Sequence, residues 1–134
     1  MTSAHSLIDS AKRTIGLEQD AISSLLARID HTFVKACELI LACKGRVVVV
    51  GMGKSGHIGH KIAATLASTG TPAFFVHPAE ASHGDMGMIT ADDTVLALSN
   101  SGTTNEIVTL LPLIKRLGLT LISMTGNPDS TLAH

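Results

Sequence analysis

Four consecutive β-branched residues, Val47-Val48-Val49-Val50, run directly into Gly51-Met52-Gly53-Lys54-Ser55-Gly56-His57-Ile58-Gly59. An unbroken apolar run has no side for water, so it belongs to a strand covered on both faces by helices, as in a parallel sheet. The glycines then turn the chain, and a helix is predicted from about Gly56 to Ser68, closed by Gly70. Ala73-Phe74-Phe75-Val76 reads as a second buried strand, Thr94 to Leu98 as a third and Leu119 to Met124 as a fourth. Between the last two, a helix is predicted from about Thr103 to Leu117, stopped by Gly118. Pro112 inside it removes a backbone donor and should kink it. Strands alternating with helices predict an α/β fold with a doubly wound parallel sheet, whose ligands bind at the carboxyl ends of the strands.

Ahead of this domain, Leu7, Ala11, Ala21, Ile22, Leu25, Leu26, Ile29, Phe33, Cys37 and Leu41 recur at mostly helical spacing. One or two amphipathic helices are predicted over 1–44, with Ser6 and Asp9 as a start signal, Gly16 as an interruption and Gly45 as a carboxy-terminal cap. Their apolar stripe is suited to packing on the α/β domain of 45–134 or on a partner subunit. Cys37 and Cys43 lie in no metal-ligand pattern and are read as reduced core thiols.

The bulk composition excludes several partners. A net charge of −1, scattered Lys and Arg, no Trp or Tyr and only three Phe leave neither a basic footprint nor a stacking platform for nucleic acid. No apolar run approaches the roughly 20 residues of a membrane helix. The first ten residues carry no secretory signal, so a cytoplasmic protein is expected.

The glycine segment follows a buried strand and opens a helix, where backbone donors and the helix dipole attract an anion. A kinase-like P-loop would need glycine five residues before Gly53, where Val48 stands. Gly51-x-Gly53-x-x-Gly56 satisfies the dinucleotide spacing. However, His77 and Pro78 occupy the end of the second strand, where an acidic residue should hold the ribose. Three readings remain for this loop: phosphate binding, which leads, then a close-packing turn and dinucleotide binding.

A second loop, Ser99-Asn100-Ser101-Gly102-Thr103-Thr104-Asn105-Glu106, follows the third strand. One such hydroxyl is ordinary helix capping; four around a glycine suggest a second phosphate cradle. The neutral, hydroxyl-rich make-up suits a phosphate monoester better than a diphosphate, which would often recruit a metal and its carboxylates.

Taken with Phe75-Val76-His77-Pro78 and His83-Gly84-Asp85, the two loops resemble the sugar isomerase (SIS) domain, and within it the D-arabinose 5-phosphate isomerases. The resemblance runs from about Lys44 onwards and implies a flavodoxin- or Rossmann-like sheet. It implies phosphate binding by Gly53, Ser55, Ser99, Ser101 and Thr104. It also implies aldose–ketose isomerisation between D-ribulose 5-phosphate and D-arabinose 5-phosphate, which supplies the precursor of Kdo for lipopolysaccharide. Proton transfer between C1 and C2 needs a base, an oxyanion stabiliser and a shuttle, for which Glu106, Lys54 and His83 are the implied candidates.

No cofactor is implied. His57 and His60, three apart on a helix, lack an evident third metal ligand and are read as surface or subunit-contact residues. Such domains commonly form homodimers or homotetramers with shared sites. The related isomerases also carry an active-site histidine in a Ser-His-Pro-Gly-Gly segment and tandem CBS domains, neither of which falls within these residues. A truncated SIS domain is therefore expected, with a further helix and strand after Asn127-Pro128-Asp129. The alternatives are a non-catalytic SIS module that binds a sugar phosphate or nucleotide sugar, and a SIS isomerase of another sugar phosphate.

Overall fold

The computed structural model describes residues 4–82 and 84–134. The chain divides into two compact units, one up to Ala36 and the other Cys37–His134. The first contains α1 (Ala4–Leu25), a 3-10 turn (Leu26–Arg28) and the start of α2 (His31–Leu41). Gly16 does not interrupt α1, which runs unbroken through it. One glycine in a helix interior costs only about 1 kcal/mol, too little to break a long helix. Asp30 starts α2 by accepting hydrogen bonds from the Thr32 hydroxyl at 2.6 Å and the Thr32 N–H at 2.8 Å. Those bonds hold its carboxyl below the usual range.

The second unit is the α/β layer structure. Its elements are β1 (Val47–Gly51), α3 (Gly53–Ser68), β2 (Ala73–Val76), α4 (Pro78–Ser82), a 3-10 turn (Asp85–Met88), β3 (Thr94–Ser99), α5 (Asn105–Val108), α6 (Leu111–Arg116) and β4 (Thr120–Thr125). All strand pairs are parallel, in the order β2-β1-β3-β4. The helix predicted from Thr103 to Leu117 is two short helices, because Pro112 falls in the first turn of α6 and begins a new helix rather than bending an old one. The short helix and turn between β2 and β3 carry no periodic apolar signal in the sequence.

The valine run shows why the sheet is covered twice. Val47 and Val49 pack with Ala63, Leu96 and Leu98 on one face, where Ile62 and Leu66 of α3 join them. Val48 and Val50 pack with Ile107, Leu110, Ile114 and Leu132 on the other. All four valines are at most 1% exposed. Burying a valine contributes about 1.5–3 kcal/mol, so this strand alone anchors both halves of the core.

Asp93 fixes the opposite end of the sheet. Its carboxylate accepts the Arg46 N–H at 2.6 Å and the Thr90 N–H at 2.8 Å. The Arg46 guanidinium lies 3.6 Å away, over the Phe74 ring, and donates to the Met88 carbonyl at 2.6 Å. Burial pushes the Asp93 carboxyl up, but the Thr90 and Arg46 donors outweigh it and leave it below the usual carboxylate range. Cys37 and Cys43 are free and half-buried, so they sit at the margin of the core rather than inside it.

Candidate functional site

The strand order places the site. From β1 the chain crosses to β2 on one side, and from β3 it crosses to β4 on the other, so the loops leaving β1 and β3 part and open a crevice between them. Gly51 of β1 lies beside Leu98 of β3, and Ser99 beside Thr125 of β4. A cleft of about 360 Å³ opens there, lined by Lys54, Ser55, Ile58, Leu98, Ser99, Asn100, Met124, Thr125 and Gly126.

The glycine segment forms its first wall. The helix begins at Gly53 rather than Gly56, so Lys54 and Ser55 stand in the first turn of α3. Met52 at the N-cap makes no side-chain hydrogen bond, which leaves first-turn N–H groups available to a ligand. Gly53 adopts φ +53° with open space around its Cα. The other glycines serve packing: a Cβ on Gly56 would come within 2.9 Å of the Gly51 carbonyl oxygen, and one on Gly59 within 2.9 Å of the Phe75 ring. One segment thus divides its glycines between an open turn and helix–strand contact.

The serine-rich loop forms the second wall. Ser99, 3% exposed at the end of β3, accepts the Gly102 N–H at its hydroxyl oxygen, 3.1 Å away. Its hydroxyl also pairs with that of Thr104 at 2.8 Å. Ser101 is exposed, and its hydroxyl accepts the Thr103 N–H at 3.3 Å. Because α5 is only four residues long, the helix dipole adds little here, and an anion at this loop would depend on the hydroxyls and turn N–H groups.

The structure therefore brings Lys54, Ser55 and Ser99 to one cleft and ties Thr104 to Ser99. Ser101 and half-buried Glu106, in the first turn of α5, belong to the adjoining loop but do not line this cleft. Gly53 lines a neighbouring hollow of about 170 Å³ with Gly56, His57, His60, Phe75 and His77. There the His60 ring lies 3.8 Å from that of Phe75. Among the described residues no group of His, Cys, Asp or Glu is placed to hold a metal ion. His83 lies outside the described residues. A hollow of about 480 Å³ lined by His5, Ser6, Asp9, Ser10 and Arg13 is made by one face of α1, without a second described element to enclose a ligand.

Asn100, Thr125 and Gly126 also line the cleft, and the sequence alone assigns none of them a site role. Asn100 lies inside a recognisable motif. Thr125 and Gly126 carry no motif, and their only signal is position at the carboxyl end of a parallel strand.

Residues 40–134 match the SIS domain family. The chain belongs to that family. This SIS-domain chain is 84% identical over 126 residues to the arabinose 5-phosphate isomerase KdsD of Pseudomonas aeruginosa, covering 94% of this chain and 39% of that protein. It is 60% identical to the Yersinia pestis protein of the same name, over 90% of this chain and 37% of the relative. The chain thus spans about two fifths of the length of the curated relatives it matches. An Escherichia coli CFT073 protein solved in complex with arabinose 5-phosphate superposes with a TM-score of 0.94 at 44% identity, covering 98% of this chain and 70% of that one. Phosphoheptose isomerase GmhA from Neisseria gonorrhoeae, at 16% identity and a TM-score of 0.77, shares the fold over 95% of this chain and 79% of its own. Among the described residues no helix of the SIS domain or the segment before it is long and apolar enough to cross a membrane.

Proposed function

We propose that this chain is the sugar-isomerase portion of a cytoplasmic D-arabinose 5-phosphate isomerase, interconverting D-ribulose 5-phosphate and D-arabinose 5-phosphate for Kdo and lipopolysaccharide synthesis. The observation that carries the reading is the 84% identity, over 94% of the chain, to the Pseudomonas aeruginosa isomerase. The meeting of Lys54, Ser55 and Ser99 at one cleft supports it independently.

In this reading the phosphate is gripped by Ser55, Ser99, Ser101 and Thr104 with the N–H groups of Gly53 and its neighbours. Grip at the far end of the sugar holds C1 and C2 in place for chemistry. Glu106 takes the carbon-bound proton and returns it to the adjacent carbon, passing through an enediolate. The Lys54 ammonium neutralises the developing oxyanion, and His83 moves protons between the sugar oxygens and assists ring opening. One carbon is oxidised as its neighbour is reduced, so the step balances without an external oxidant.

The reading extends to a homodimer or homotetramer. Support comes from α1, which buries none of its residues while Leu7, Ile15 and Ile22 are 61%, 64% and 68% exposed. Residues 1–44 would cover that apolar stripe against a second copy.

NMR of D-ribulose 5-phosphate in D2O with the full-length protein tests the function. Arabinose 5-phosphate with deuterium at C2 is the expected result. Phosphate-dependent shifts in the protein with neither product nor deuterium uptake would reduce the domain to a sugar-phosphate sensor.

A further inference from the structure

The serine-rich loop is braced by the chain that follows β4, of which Gly126 reaches the cleft and residues 127–132 do not line it. Past β4 the backbone turns at Gly126 and doubles back along residues 127–132. The Gly126 N–H donates to the Asn100 carbonyl and the Leu132 N–H to the Gly102 carbonyl, each at 3.0 Å. Between these two bonds Ser130 occupies the space where a Gly102 side chain would stand. A Cβ on Gly102 would overlap the Ser130 Oγ and Cβ and would approach Thr125 Oγ1 to 2.8 Å.

Ser130 is a buried polar residue, 2% exposed. Its hydroxyl donates to the Asn127 carbonyl at 2.7 Å, and its own N–H reaches the same oxygen at 3.2 Å. The turn it closes is anchored two residues later by Leu132, which is 3% exposed and packs in the core with Ile107, Leu110 and Ile114. A rigid turn thus bears on the one residue of the loop held at positive φ, Gly102 at +65°.

We infer that Ser130 is a positioning residue for the phosphate-binding loop: it seats Gly102 and so presets the N–H and hydroxyl groups of residues 99–104 for an anion. The inference rests on the proposed role of that loop. Donors already in place bind without the cost of ordering them, so a loop that loses its seat loses affinity although every phosphate-facing group remains. Ser130 itself touches no ligand in this scheme. Its side chain is limited to a small size by the packing against Gly102, and its hydroxyl is committed to Asn127.

Two substitutions separate seat from hydroxyl. Ser130→Ala keeps the Cβ against Gly102 and loses the bond to Asn127; Ser130→Gly removes the seat. In the full-length protein, inorganic phosphate affinity is read by calorimetry, amide exchange at residues 101–104 by NMR, and KM and kcat with the sugar phosphate in parallel. Phosphate affinity is expected to weaken roughly tenfold in Ser130→Gly and by about threefold or less in Ser130→Ala. Loop amides should exchange faster in the same order, and KM should rise more than kcat falls. Parental phosphate affinity and parental loop exchange in both variants, whatever their melting temperatures, would overturn the inference. A parent protein with no phosphate affinity would overturn it by a separate route, through the loop reading on which it rests.

Discussion

The Ser99 and Thr104 hydroxyls meet at 2.8 Å, closing the base of a loop whose Gly102 N–H already points at the Ser99 oxygen from 3.1 Å. The loop is therefore held in a turn by its own side chains before a ligand arrives. Removing the Ser99 hydroxyl unpairs Thr104 and weakens the Gly102 bond together. Ser99→Ala is expected to cost about 1–2 kcal/mol of stability in urea unfolding and to raise KM for the sugar phosphate at least roughly tenfold.

Glu106 offers a cleaner separation of chemistry from folding. It is half-buried in the first turn of α5, and Gln has the same size. Glu106→Gln should leave stability within about 0.5 kcal/mol of the parent and lower turnover by roughly 10²–10⁴-fold. Deuterium wash-in at the substrate carbon should fall with it. Parental wash-in would remove Glu106 from the base role.

The glycine segment makes a prediction about packing alone. A Cβ at Gly59 would press on two carbons of the Phe75 ring, at 2.9 and 3.0 Å, and on Val49 at 3.3 Å. Gly59→Ala should therefore push α3 away from β2 and cost about 1–3 kcal/mol, measured as a lower denaturation midpoint. Phe75→Leu in the same chain should recover part of that loss.

Asp93 predicts the acid limb of stability. Burial raises its folded pKa, but the Thr90 and Arg46 donors outweigh burial and leave that pKa depressed. Its contribution is then fully present above the unfolded value, about 3.9, and is lost as pH falls through the lower folded value. Asp93→Asn, with the Thr90 and Arg46 N–H donors no longer facing a charge, should cost about 1–3 kcal/mol at neutral pH. The variant's stability curve should also fall less steeply below about pH 4 than the parent's.

Much of this was legible in the residues because strong local patterns agreed with the global fold. Val47–Val50 marked a two-sided strand, and the structure buries all four. The two candidate loops stood out because glycine and hydroxyl residues cluster where strands give way to helices, and both line or adjoin the cleft. Element boundaries were less readable. Gly16 offered a break that a long helix absorbs, and Pro112 signalled a bend where the chain starts a new helix. Pro78–Ser82 is too short to show a period. Thr125, Gly126 and Ser130 escaped notice for a different reason: their part depends on chain brought back from more than twenty residues away, which no local pattern encodes.

The crevice at the strand ends is produced by the crossing of the chain from one face of the sheet to the other, not by the side chains that line it. Lys54, Ile58, Asn100 and Met124 are exposed at its rim, while the valines that hold the sheet lie beneath. Replacing rim residues therefore alters the lining of the crevice at little cost to the framework. In the proposed reading, a lineage built on this layout would exchange one sugar for another by drift at its loops, with the scaffold inherited intact.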